Sequence, residues 1–348
     1  MTTSLSAVRR ETRRFRFLMS ALGVLLLLLM LAGLVLGRYG ITLHDAFLML
    51  LSPFGVEGEF EGKRRVVENL FYQVRLPRVL LAVLAGAGLS AAGAAFQALF
   101  ANPLASPDTL GVATGASFGA VLGILLGASG LGIQLCALGA GLLAVFLVLT
   151  IGRVRGETGL LMMILAGMVV AALFTALISL VKYVADPQDV LPQITFWLMG
   201  ALSGATVESV AAGAPLILLS LLLLWLLSWR LNVTTLSPDE AKSLGISLVR
   251  LRTLVILAAT MLTASVVSMC GLIGWVGLLV PHAARLLFGS DNRFVLPASM
   301  ILGAIFMLVV DTLARTLTAS EIPVSILTAV IGAPFFIFLL RRTGASRL

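Results

Sequence analysis

The sequence predicts an all-α polytopic membrane protein of about ten transmembrane helices, with both termini in the cytoplasm. Three observations lead there. Of the 348 residues, 59% are hydrophobic and 11% charged, and the mean hydropathy is +1.09, far from the composition of soluble domains. Apolar runs of about 20 residues, the length a helix needs to cross a hydrocarbon core of about 30 Å, recur between short polar breaks. Two of every three of the 24 Lys and Arg residues then fall on the side that an even number of crossings gives to the cytoplasm, where cationic loops gather. The net charge of +8 therefore calls for no nucleic acid.

Residues 1–16 are a basic cytoplasmic segment carrying Arg9, Arg10, Arg13, Arg14 and Arg16. The apolar run 17–37 is too long for a signal-peptide core and has no small-residue cleavage site, so it is a retained first span. Segment 38–74, mixed in charge, is the longest external stretch. The second span, 79–100, has Gln97 as its only strongly polar side chain. Between Gly86 and Ala95 it is almost entirely Gly, Ala and Ser, which lets neighbouring helices approach backbone to backbone. A polar elbow from Asn102 to Asp108 leads into spans at 111–128, 132–152 and 160–181. An interfacial helix over 193–204 places Trp197 at headgroup depth, and the sixth span covers 207–229.

Segment 230–252 is the one sizeable polar island on the cytoplasmic side. Ser237 caps a short helix there, Pro238 sits in its first turn, and Asp239 and Glu240 lie near its positive end. Gly245 breaks that helix, and a second short one begins near Ser247. The seventh span is 253–270, followed by a tight outer turn at 271–275. The eighth runs to 287, the ninth to 313, and the tenth to Arg341 and Arg342, leaving 343–348 as a cytoplasmic tail.

Several motifs resemble catalytic signatures without their context. Gly115-Ala-Ser117-Phe-Gly119 has the spacing of a nucleophile elbow, but it lies on a small-residue span with no strand before it and no base nearby. Gly86-Ala-Gly88-Leu-Ser-Ala91 imitates a dinucleotide fingerprint where no βαβ unit fits. No P-loop is present, so the chain does not split ATP by that route. His44 and His282 are the only histidines, which leaves no metal site, and His282 is expected to make a local hydrogen bond. Cys136 and Cys270 are packing residues. Asp311 and Arg315, four apart on one helix face, can pair; alternatively Arg315 faces outward. The spans hold almost no other charge at the depths where ion-coupled carriers bind their ions. If the chain transports, its energy arrives from outside the membrane, through the island at 230–252.

Taken in order, RLPR at Arg75–Arg78, QALFANPLASPDTLGVATGAS at Gln97–Ser117, ITFWLMG at Ile194–Gly200, AKSLG at Ala241–Gly245, GLIGWVGLLVPHAAR at Gly271–Arg285 and EIPVSILTAVIGAPFFIFLL at Glu321–Leu340 resemble a known family. It is the FecCD-like, type II permease family of ATP-binding-cassette importers for iron-siderophore complexes, haem and cobalamin. The match runs from about Arg75 onward. It implies a ten-helix permease domain over 17–342 in a bacterial cytoplasmic (inner) membrane. A second permease subunit, as a homodimer, two ATPase subunits, and a periplasmic or lipid-anchored substrate-binding protein complete the assembly. The chain itself is then no enzyme and carries no cofactor; ATP and Mg belong to the ATPase partner. Arg75, Arg78 and Arg315 match positions that dock the binding protein. Asn102, Leu104, Gly159 and Leu160 match a cytoplasmic gate, and Ser237, Asp239, Glu240, Lys242, Leu244 and Gly245 match the segment coupled to the ATPase. The expected cargo is an iron(III)-siderophore, with haem or cobalamin as the alternative and an ion-coupled secondary transporter ranked below both.

Overall fold

A computed structural model describes residues 2–37, 39–55, 64–154, 157, 158 and 160–344. They form fourteen α-helices: α1 (Thr2–Val35), α2 (Leu43–Leu51), α3 (Arg64–Asn69), α4 (Leu76–Leu99), α5 (Val112–Leu125), α6 (Gly130–Ile151), α7 (Leu160–Val184), α8 (Val190–Leu198), α9 (Val207–Leu227), α10 (Pro238–Ser243), α11 (Leu248–Cys270), α12 (Val276–Phe288), α13 (Asn292–Thr316) and α14 (Val324–Gly344). Among the described residues, the only strand pairing is a two-residue antiparallel ladder, Arg153 with Thr158 and Val154 with Glu157. Among the described residues, seven helical segments are long and apolar enough to cross a membrane: Thr12–Val35, Arg64–Leu99, Gly130–Ile151, Leu161–Val184, Val207–Leu227, Leu248–Cys270 and Asn292–Thr316.

The bundle is arranged around α4. In its most apolar stretch 78% of residues are buried, against 11% for α1 at the rim. The small residues are the cause. A Cβ on Gly93 would stand 1.8 Å from the Gly277 carbonyl oxygen, and one on Gly86 would stand 2.1 Å from that of Gly303. Any side chain at either position would force α12 or α13 away.

Three expected spans are shorter than the rest: α5, α12 and the apolar part of α14. At 1.5 Å per residue, the 14 residues of α5 and 13 of α12 reach only about 20 Å. They meet inside the bundle. Leu89, Pro107 and Gly277 line one cavity, and Leu89 lies ten positions before the end of α4, roughly 15 Å up the helix. The 3-10 turn Pro107–Leu110 before α5 and the non-helical residues 271–275 before α12 therefore pack within the bundle, as irregular backbone in a membrane protein must when it does not face water.

Two boundaries differ from expectation. A π-helical turn at Leu70–Arg75 joins α3 to α4, so one continuous helix starts at Arg64 inside the segment expected to be external. The second small helix of the polar island does not exist as such. Ser247 caps α11 itself, accepting from the Arg250 amide, and α11 runs unbroken to Cys270.

Candidate functional site

The chemistry concentrates at the two ends of the bundle and at one point between them. At the end where α4 begins, Arg75, Arg78 and Arg315 are 3%, 6% and 8% exposed. Arg75 Nη1 donates to the carbonyls of Leu34 and Val35, at 2.6 Å each, and its Nη2 donates to Tyr39 O. Arg315 donates to the carbonyls of Leu36 at 3.2 Å and Gly33 at 3.3 Å. The oxygens of Gly33, Leu34 and Val35 belong to the last turn of α1, whose carbonyls have no partner within the helix, and cations are favoured at that negative end; those of Leu36 and Tyr39 follow just beyond it. Arg78 Nε donates to Asp311 Oδ1 at 2.8 Å and its Nη1 to Glu321 Oε1 at 2.9 Å. Arg315 Nε stands 3.1 Å from Asp311 Oδ2. That is close enough for an ion pair, although the N–H does not point at the oxygen.

Both the pairing of Asp311 with Arg315 and the grouping of the three arginines are therefore present. Each of the three guanidiniums meets groups within the chain. The outward-facing charge is Glu321, whose side chain is 39% exposed. Together with Tyr39 it rims a cavity of about 210 Å³ that reaches the three arginines.

At the opposite end, α10 stands out as a small knob. Ser237 Oγ accepts from the Glu240 amide at 3.3 Å, and Glu240 Oε2 accepts from the Ser237 amide and hydroxyl at 2.9 Å each. This reciprocal cap holds the Glu240 carboxyl below its ordinary range. Asp239, Lys242 and Leu244 are exposed, and Gly245 has φ +71°, a conformation glycine adopts without strain. Underneath, Ala241 packs with Val233, Leu248 and Ile246.

Two polar links tie the knob to the bundle. Thr234 Oγ1 lies 3.0 Å from Ala98 O on α4. Asn232 Nδ2 donates to Asp291 Oδ1 at 2.7 Å, while Asn232 Oδ1 accepts two bonds from Asn292, both 2.9 Å. Partial burial alone would raise the Asp291 pKa, but the hydrogen bonds from Arg293 and Asn232 outweigh it and hold the carboxyl below its ordinary range.

The elbow follows directly on Ala98. Ala101 has φ +46°, Asn102 Oδ1 accepts from the Leu104 amide at 2.9 Å, and Leu104 is 55% exposed. Gly159 and the side chain of Leu160 lie outside the described residues; Leu160 is the first residue of α7.

Between the two ends, Asp108 lies in the 3-10 turn Pro107–Leu110 that leads into α5. Its exposed side chain opens on a cavity of about 240 Å³, lined also by Leu89, Thr263, Trp275 and Gly277. Sequence reasoning left it in the elbow because nothing local reveals that residues 106–110 turn back into the bundle. Gln97 and Arg285 were also missed as partners. Arg285 Nη1 donates to Gln97 Oε1, and Gln97 Nε2 donates to Leu278 O at 3.2 Å. His282 does not make its expected bond: its Nε2 is buried without a partner among the described residues. Ser117 is 1% exposed, and a Cβ on Gly119 would meet Cys136 O at 2.1 Å, so that motif is helix packing. Among the described residues no three His, Cys, Asp or Glu side chains gather where they could hold a metal.

A family model described as the FecCD transport family matches residues 25–342. The molybdate import system permease protein MolB of Haemophilus influenzae is 41% identical over 331 residues, covering 93% of this chain and 96% of that protein. A probable iron chelatin transport system permease protein of Helicobacter pylori is 40% identical over 274 residues, covering 79% and 83%. A solved chain from a transporter assigned to the metal-chelate type of ABC transporters, in an inward-facing conformation, superposes with a TM-score of 0.84 at 38% identity. It covers 94% of this chain and 99% of that one.

Proposed function

The chain belongs to the FecCD transport family, and from that membership we propose how this permease subunit of an ABC importer works and what it carries. It is a multi-pass membrane protein, here assigned ten crossings in a bacterial inner membrane with both termini inside. A second copy of the chain, two ATPases below and a substrate-binding protein above complete the assembly.

The observation that carries this reading is the α10 knob. It is exposed, rigidly capped, and linked through Thr234 to Ala98, four residues before Asn102. ATP-driven closure of the ATPases would push on Asp239, Glu240, Lys242 and Leu244. The displacement would pass through Thr234 and the Asn232–Asp291 link into the elbow that carries Asn102 and Leu104. Two packed arrangements of such an element suffice to switch the pathway between openings. In the assembled importer, charge reversal at Asp239, Glu240 and Lys242 together is expected to abolish the stimulation of ATP hydrolysis by loaded binding protein. Stimulation that survives unchanged overturns the assignment.

At the other end, a carboxylate of the binding protein would exchange with Glu321 on Arg78. The neighbouring positive field of Arg75 and Arg315 sets approach and register more than affinity. The exposed apolar faces of α7 and α14, with Met168, Leu173, Ile331 and Phe335, would offer the cargo walls with little grip. For the cargo we assign an iron(III)-siderophore, supported by the iron chelatin and metal-chelate designations of two relatives. A second reading, molybdate, is favoured by the 41% identity over nearly the whole chain. Uptake of labelled ferric chelate and of labelled molybdate into proteoliposomes carrying the complete importer separates the two.

A further inference from the structure

At the end of the bundle that carries α10, a cavity of about 290 Å³ opens between α1 and the α12–α13 corner. Its walls are of two kinds. Arg14 from α1 and Arg285 from α12 supply two guanidiniums, from positions far apart in the chain, and no acidic side chain lines the cavity among the described residues. Leu18 and Leu287 supply an apolar flank that continues outward onto Phe17 and Leu286, which are 72% and 52% exposed. Phe15 fixes the geometry. Its ring packs edge-on against Phe288 at 5.4 Å and tilts over Phe294 at 4.5 Å, which pins the turn of α1 bearing Arg14 beside Arg285. Arg285 spends Nη1 on Gln97, and its remaining N–H groups have no carboxylate to meet.

Two cations above an exposed apolar flank, at one end of a membrane bundle, match a ligand with an anionic head and hydrocarbon tails. A free phosphate would use only the upper half. We propose that this cavity is a binding site for an anionic phospholipid of the inner leaflet, its phosphodiester between Arg14 and Arg285 and its acyl chains along Leu18, Leu286 and Leu287. The inference rests on the reading that this end faces the cytoplasm. There, basic pockets between helices recruit anionic headgroups, and each Arg near the surface contributes about 1 kcal/mol, or roughly fivefold in affinity.

The test is native mass spectrometry of the intact importer in detergent, titrated with phosphatidylglycerol, phosphatidylcholine or inorganic phosphate, with Arg14→Gln beside the wild type. Arg14 is exposed and lies outside the gate and the coupling knob, so its loss leaves the fold intact. The expected result is one tightly retained phosphatidylglycerol per chain, no comparable phosphatidylcholine, no displacement by phosphate, and a roughly fivefold weaker retention in Arg14→Gln. Equal retention of the two lipids, displacement by phosphate, or retention unaltered by Arg14→Gln overturns the site. Cargo-stimulated ATP hydrolysis is followed in the same samples. If it persists while lipid retention fails the test, the lipid site alone falls and the importer reading stands.

Discussion

Arg78 and Asp311 stand 233 positions apart and meet at 2.8 Å, with side chains 7% and 1% exposed. The pair clamps the start of α4 to the last turns of α13, and Arg315 and Glu321 complete it on either side. Breaking one partner of such a pair leaves a buried charge uncompensated, at a cost of about 3–5 kcal/mol, whereas replacing both with apolar residues is often close to neutral. Asp311→Leu is therefore expected to lower the melting temperature of the solubilised protein sharply. Arg78→Met with Asp311→Leu recovers part of the loss, because Arg315 still lacks Asp311 and Glu321 still lacks Arg78. A double variant as unstable as the sum of the singles would mean that the two residues act independently.

The Thr234 hydroxyl has a second acceptor, Leu231 O at 2.7 Å, so its one proton is shared between the knob's own turn and α4. Thr234→Val keeps the shape and removes the link, at a stability cost of about 1 kcal/mol. The expected phenotype is functional: ATP hydrolysis continues, but cargo moved per ATP falls several-fold. An unchanged ratio in proteoliposomes would move the transmission route to the Asn232–Asp291 link.

That second link titrates. Because the folded-state pKa of Asp291 is lowered, its contribution to stability is present above the ordinary carboxylate range and lost as pH falls through the lowered value. Wild-type melting is thus expected to be flat from pH 7 to about 5 with respect to this group. Asn232→Asp keeps the acceptor for Asn292 but sets a second carboxylate against Asp291 Oδ1, and like charges at that separation push one pKa up. A raised folded-state pKa reverses the sign, so the variant gains stability as pH falls from 7 toward 5. Melting temperatures measured across that interval decide; parallel curves for the two proteins would refute the pairing.

Local chemistry was legible in the sequence and long-range chemistry was not. The cap of α10 is written within four residues, Ser237 to Glu240, and the close approach of α4 is written in Gly86 and Gly93, because glycine in a span has few other uses. Asp311 and Arg315 share a helix face by spacing alone. Arg78 with Asp311, Thr234 with Ala98 and Arg285 with Gln97 are brought together only by how the helices cross, which no window of sequence contains. The depth of Asp108 was hidden for a related reason. A proline-rich polar stretch has the same composition whether it skirts the bundle or folds into it, and only the shortness of α5 betrays the second case.

The connections at 199–201 and 271–275 turn on glycines of a stricter kind. Gly271 has φ +73° and ψ −169°, a region that residues with a Cβ enter only at a cost of about 1–3 kcal/mol. A Cβ there would also lie 2.3 Å from Trp197 O. Around it three segments share backbone bonds: the Ala201 amide donates to Cys270 O at 2.9 Å, and the Val324 amide to Gly200 O at 3.0 Å. The end of α8 is thereby stapled between the end of α11 and the start of α14. Gly271→Ala cannot relieve the dihedral without moving Trp197, so it is expected to destabilise the protein and to alter its tryptophan fluorescence together. By contrast, Gly274→Ala, where a Cβ meets nothing within 4 Å, is expected to change neither. If Gly271→Ala melts like the wild type, the staple is not what holds α8 in place.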